Sequence, residues 1–187
     1  MPDDFCNDPN VRSYVPNMAL PDSYDNWVDR FDLTCASKSK IGFIATAYFI
    51  GLICTMAFIP RISDLYGRDK MLKIANVLSV TALGIMLSTD SYSRLIATMI
   101  TLGAMSTARM QVMSIYIYEN MNKSNYTNMM TVTSMGQGLV GVGIVLYFTY
   151  VSKSAHWLLL IAFIMQIGGC LMSLFMYESP KFLIKSG

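Results

Sequence analysis

Residues 41–59 read IGFIATAYFIGLICTMAFI, a stretch without a single charge that Pro60 and Arg61 close. A hydrocarbon core of roughly 30 Å takes about 20 apolar residues in helical form, so this stretch predicts a membrane-spanning helix. Four more stretches downstream have the same character. Met71 to Thr89 holds one charge, Lys73, near its start, where a long side chain reaches the interface. Leu95 to Tyr118 is interrupted once, by Arg109, while Asn128 to Val151 and Trp157 to Tyr177 carry no charge at all.

Composition agrees. The chain has 187 residues, 53% hydrophobic and only 14% charged, where a soluble domain carries about 25% charged residues. Eleven charged side chains lie before Ile41 and three after Tyr177, leaving twelve for residues 41–177. Long charge-free runs exclude a soluble enzyme, a nucleic-acid binder and a disordered linker. The net charge of +2 is too small to imply an acidic partner. The expected fold is an all-α polytopic membrane helix bundle. Residues 1–40 form a polar extramembrane arm, residues 41–177 a five-helix transmembrane bundle, and residues 178–187 a short tail. With seven Asp and no apolar run of signal-peptide length, the arm is not a signal peptide.

Lys and Arg in short loops set orientation. The segment holding Arg61, Arg68, Lys70 and Lys73 is the most basic and is expected in the cytoplasm. The loops at Asp90 and Lys153 then face outward, with the N-terminus outside, the C-terminus inside and the plasma membrane as the expected location. On this topology Cys6 and Cys35 share an oxidising compartment and are a candidate disulfide. Cys54 and Cys170 fall within spans, as small packing residues. Two glycosylation sequons, starting at Asn122 and Asn125, face the cytosol and should stay bare.

Membrane helices associate through small residues. Ala47, Gly51 and Cys54 share a face of the first span, and Gly103, Thr107 and Ser114 a face of the third. Ser134, Gly138 and Gly141 do so on the fourth, and Ala162, Gln166, Gly169 and Ser173 on the fifth. Each stripe predicts a close helix–helix approach within a packed bundle, with no chemistry attached.

Three motifs go further. Pro60-Arg61-Ile62-Ser63-Asp64-Leu65-Tyr66-Gly67-Arg68-Asp69-Lys70 resembles the signature loop between the second and third helices of the major facilitator superfamily. Glu178-Ser179-Pro180-Lys181-Phe182-Leu183 resembles the Pro-Glu-Ser-Pro-Arg motif closing the sixth helix of sugar porters and organic ion transporters, with Tyr177 and Lys181 substituted. Trp27 to Cys35 is similar to the end of the large extracellular loop of the organic ion branch, and Glu119 sits where the family has an acidic residue on its fourth helix. The five spans would then be helices two to six of the N-terminal half. The chain departs from the pattern at Met99, Tyr126 and Leu158, where the family carries Arg, although Gly103 is in place.

The resemblance implies alternating-access transport of a small organic solute, organic ion or sugar-like, with the chain a fragment of a longer transporter. The alternative is a non-transporting accessory or structural subunit of a membrane complex. Expected partners are the lipid bilayer, the solute, and a second half or a homo- or hetero-oligomer; no nucleic acid is expected. Asp64, Gly67, Arg68, Lys70, Glu119, Glu178, Pro180 and Lys181 are candidate gating and motif residues at the cytoplasmic face. Arg109 is the one charge deep in a span, and such charges face a cavity or a partner; it is a candidate counter-charge for an anionic substrate or a coupling carboxylate. Gln111, Tyr116, Gln137 and Gln166 are candidate solute contacts, or satisfy one another between helices. No catalytic constellation, metal site or cofactor is expected: His156 stands beside Trp157 with no Cys, Asp or Glu near it in sequence.

Overall fold

The computed structural model describes residues 27–31, 33–120 and 123–176. Seven helices follow one another: α1 Trp27–Arg30, α2 Lys38–Met56, α3 Ile59–Tyr66, α4 Arg68–Ser88, α5 Tyr92–Asn120, α6 Lys123–Leu146 and α7 Ala155–Leu174. A π-helical turn, Tyr147–Val151, extends α6. Among the described residues there is no strand.

Local chemistry explains where helices start and stop. Ser37 caps α2, its Oγ accepting from the Lys40 amide at 3.4 Å. Pro60 has no N–H and cannot bond back to the Met56 carbonyl, so α2 ends at Met56, three residues before the end of the apolar stretch. Ala57 and Phe58 keep right-handed backbone, and α3 restarts with Pro60 in its first turn. The segment expected as a loop is therefore a two-turn helix with Ile59 and Ser63 buried. Gly67 adopts φ 99°, ψ 145°, a region closed to residues with a Cβ, so α4 can begin at the very next residue.

α5 is the central element, packed along α2 on one side and α4 on another; α7 lies against α4. The α2–α5 seam rests on two glycines. A Cβ on Gly51 would sit 2.0 Å from the Ile100 carbonyl oxygen, and one on Gly103 would sit 2.0 Å from that of Tyr48. Each helix admits the other's backbone, as the small-residue faces predicted. Cys54, read as part of the α2 face, points outward instead. Across the seam Tyr48 donates its hydroxyl hydrogen to Ser106 at 3.1 Å.

Among the described residues, four helical stretches are long and apolar enough to cross a membrane: Lys38–Met56, Arg68–Ser88, Asn125–Val151 and Ala155–Leu174. The fifth expected span, α5, is not among them, although its 29 residues measure about 43 Å. Arg109, Gln111 and a series of Ser and Thr lower its hydropathy. α5 is also the best-surrounded helix, with Leu95, Ala108 and Val112 almost fully buried. The most polar span sits where protein rather than lipid surrounds it.

Two apolar cores flank the middle of the bundle. The inner one gathers Ile59, Leu72, Ala75, Ala108 and Val112. The outer one gathers Ile44, Ala47, Met86, Leu95, Met99 and also Leu33, only 2% exposed. Trp27, Val28, Phe31 and Ala36 pack against it, so these residues of the segment read as a polar arm are docked on the bundle. Arg30 Nη2 donates to the Leu87 carbonyl at 2.6 Å, and its Nε lies 3.6 Å from Asp90 Oδ1. Cys35 is disulfide-bonded, whereas Cys54 and Cys170 are free; Cys6 lies outside the described residues.

Gly168 and Gly169 of α7 meet no neighbour, and α6 is more open still. Its small-residue face, expected to pack closely, has no neighbour: a Cβ on Gly136, Gly138, Gly141 or Gly143 would meet nothing within 4 Å. Val132, Met135, Leu139, Val140 and Val145 are all more than 60% exposed.

Candidate functional site

Two polar groups stand out, one at the helix ends around Gly67 and one inside the bundle. The first follows from the tight α3–α4 turn, which places Asp64 and Arg68 one helical turn apart. Arg68 Nη2 bonds Asp64 Oδ1 at 3.0 Å, and Nη1 pairs with Glu119 from the end of α5. The Arg68 and Glu119 side chains are only 14% and 10% exposed. Removing either partner would leave the other charge in a poorly solvated place. A second pair, Lys73 with Asp69 at 2.7 Å, lies one turn along α4. Lys73 also donates to the Met176 carbonyl at 3.4 Å, tying the end of α7 to the start of α4.

Of the predicted gating residues, Asp64, Arg68 and Glu119 thus come together on Gly67. Lys70 is exposed on the first turn of α4. Glu178, Pro180 and Lys181 lie outside the described residues. Sequence reading missed Asp69 and treated Lys73 only as a snorkelling side chain. The i,i+4 spacing of these opposite charges was the available signal, and it carries weight only once residue 69 is known to be helical.

The second group is a polar chain across the bundle. Arg109 Nη1 on α5 donates to Gln166 Oε1 on α7, and Gln166 Nε2 donates to Asn76 Oδ1 on α4 at 3.3 Å. Asn76 is only 7% exposed. A guanidinium at this depth costs about 2.5–3.5 kcal/mol on insertion scales unless it has polar company, and the two amides supply part of that company. Nε of Arg109 is buried without a hydrogen-bond partner.

This chain borders a cavity of about 720 Å³ between α4, α5, α6 and α7. Its polar lining includes Asn76, Ser106, Arg109, Thr133, Ser134 and Gln137, and methionines make up much of the rest. The volume suits a small solute. Of the predicted solute contacts, Arg109 and Gln137 line the cavity and Gln166 holds Arg109 at its edge. Gln111 and Tyr116 do not line it. Gln111 instead borders a smaller hollow of about 310 Å³ with Pro60 and Ile115, and Tyr116 is half-buried elsewhere on α5. Asn76 was missed because one Asn in an apolar span gives no sign of the direction it faces. Met99, at a position where the family carries Arg, is an apolar member of the outer core. Among the described residues no three His, Cys, Asp or Glu side chains converge as metal ligands.

The family model described as sugar (and other) transporter matches residues 7–187. A D-xylose transporter of Levilactobacillus brevis is 34% identical over 153 residues, which are 78% of this chain and 33% of that protein. The chain therefore spans about a third of the length of the curated relative it matches.

Proposed function

The chain belongs to the sugar (and other) transporter family, and from that premise we propose that it moves a small polyhydroxylated solute across a membrane by alternating access. It is an integral membrane protein of an all-helical, partial major-facilitator bundle. Alternating access takes two bundles rocking about a midplane site. The chain acts in this reading as one half of such a carrier, belonging to a longer transporter or completed by a second chain. The observation that carries the reading is the hydrogen-bonded chain Arg109–Gln166–Asn76 at the edge of the cavity. Polar side chains at this depth are retained where they serve a solute or an ion pathway.

The Asp64–Arg68–Glu119 cluster serves as the latch. Its pairs are made in one conformation and broken in the other, so their net energy biases the equilibrium without blocking it. The basic turn faces the cytoplasm, the Trp27–Ala36 segment faces outward, and the membrane is the plasma membrane. The orientation reading is supported by the disulfide at Cys35, which suits an oxidising side.

The test is uptake of radiolabelled D-xylose by cells expressing the protein, set against cells expressing Arg68→Ala at equal surface abundance. Saturable uptake that the substitution slows at least about tenfold agrees with the proposal, since one lost buried ion pair exceeds the 1.4 kcal/mol that a factor of ten requires. Absence of uptake together with stable co-purification in a larger assembly would favour the accessory-subunit alternative.

A further inference from the structure

Arg109 is the only charged residue among the described residues lining the cavity, and no carboxylate answers it. The four carboxylates whose side chains are described are all engaged elsewhere. Asp64 and Glu119 hold Arg68, Asp69 holds Lys73, and Asp90 faces Arg30. Gln166 takes up Nη1 of Arg109 through its carbonyl oxygen, while its amide nitrogen is spent on Asn76. That bond fixes the plane of the guanidinium and leaves Nε, buried and unpartnered, on the opposite edge. A guanidinium that lines a cavity with no carboxylate beside it can take one from a ligand through charge-assisted hydrogen bonds.

The rest of the lining says what should be attached to that carboxylate. Thr133 and Ser134 spend their hydroxyl hydrogens on the Met129 and Met130 carbonyls, both at 2.9 Å. Ser106 Oγ already accepts from Tyr48. The free capacity of Thr133 and Ser134 is therefore mainly as acceptors, suited to a ligand that brings O–H donors. Gln137 offers both an acceptor and donors, and methionines supply soft apolar contact for C–H faces.

We propose that the solute is a hydroxylated monocarboxylate, a sugar acid of five or six carbons, and that Arg109 selects it over the neutral sugar of the same length. The inference rests on reading the cavity as the solute site. Gln166 and Asn76 act as positioning residues that hold the guanidinium at the cavity wall.

The test is equilibrium binding of radiolabelled D-xylonate and D-xylose to the full chain in lipid nanodiscs at neutral pH. The two probes share their configuration at C2 to C4 and differ at C1, D-xylose being mainly a ring and D-xylonate an open chain, so the Arg109→Gln comparison isolates the contribution of the charge. D-xylonate should bind at least about tenfold more tightly, the scale of one charge-assisted hydrogen bond. Arg109→Gln, with helix content matched by circular dichroism, should bring the two affinities together, and Arg109→Lys should keep part of the preference. The wild-type comparison stands whether or not either variant folds. D-xylose binding as tightly as D-xylonate would overturn the inference and leave the solute-site reading in place. Binding of neither probe would overturn both. A preference for D-xylonate that survives Arg109→Gln would overturn the role given to the guanidinium.

Discussion

Along the α2–α5 seam, Gly51 and Gly103 each meet the partner's backbone so closely that a single added carbon would overlap it. Along α6, Gly136, Gly138, Gly141 and Gly143 meet nothing. Both helices carry a stripe of small residues within an apolar sequence, and read alone the two are indistinguishable. The difference lies in the facing helix. Close approach gains van der Waals contact only where another backbone has a matching depression. α5 presents Gly103 to the α2 backbone in the same stretch where α2 presents Gly51 to α5. A small-residue stripe thus states what a helix permits, and the reciprocal stripe decides whether the permission is used.

This contrast can be broken at the seam first. Gly103→Leu forces a large side chain into the Tyr48 backbone, so α2 and α5 must separate; loss of a monodisperse folded protein in size-exclusion chromatography is the expected outcome. Next comes Arg68→Ala, which leaves Glu119 without its cation at the inner end of the same helix. It should lower unfolding stability by about 3 kcal/mol, read from denaturation in mild detergent. Tyr48→Phe removes one hydrogen bond across the seam and should cost about 0.6 kcal/mol, typical of interhelical bonds in bilayers. At the far end, Gly141→Ala on α6 should be neutral or stabilising by about 0.5–1 kcal/mol through helix propensity alone. If Gly141→Ala proved as damaging as a seam substitution, the distinction drawn between the two stripes would collapse.

The spans were legible because hydropathy is a local property: residues 41–59 or 157–177 announce themselves without reference to any neighbour. The same holds for the motif around Gly67, whose residues are contiguous in the chain. What escaped were features decided at a distance. Residues 60–66 looked like a loop because their charges hide a two-turn helix that exists by burying Ile59 and Ser63 under α4 and α5. Trp27 to Ala36 looked polar as part of an Asp-rich arm, yet Leu33 is almost fully buried. Half of the candidate site was readable from Arg109, because a charge inside an apolar span is conspicuous. Asn76, Thr133 and Ser134 were not readable, because uncharged polar residues are tolerated on any helix face that can bond back to its own backbone.

The Arg30–Leu87 hydrogen bond ties two positions 57 residues apart and satisfies a carbonyl at the C-terminal end of α4 that no further helical turn would reach. With Leu33 seated beside Met86 in the same apolar cluster, the segment works as a tether with an anchor at each end of a short line. Any tilt of α4 stretches that line before it disturbs the interior. A fluorophore placed at exposed Asp90 would therefore report motion of α4 without labelling the cavity.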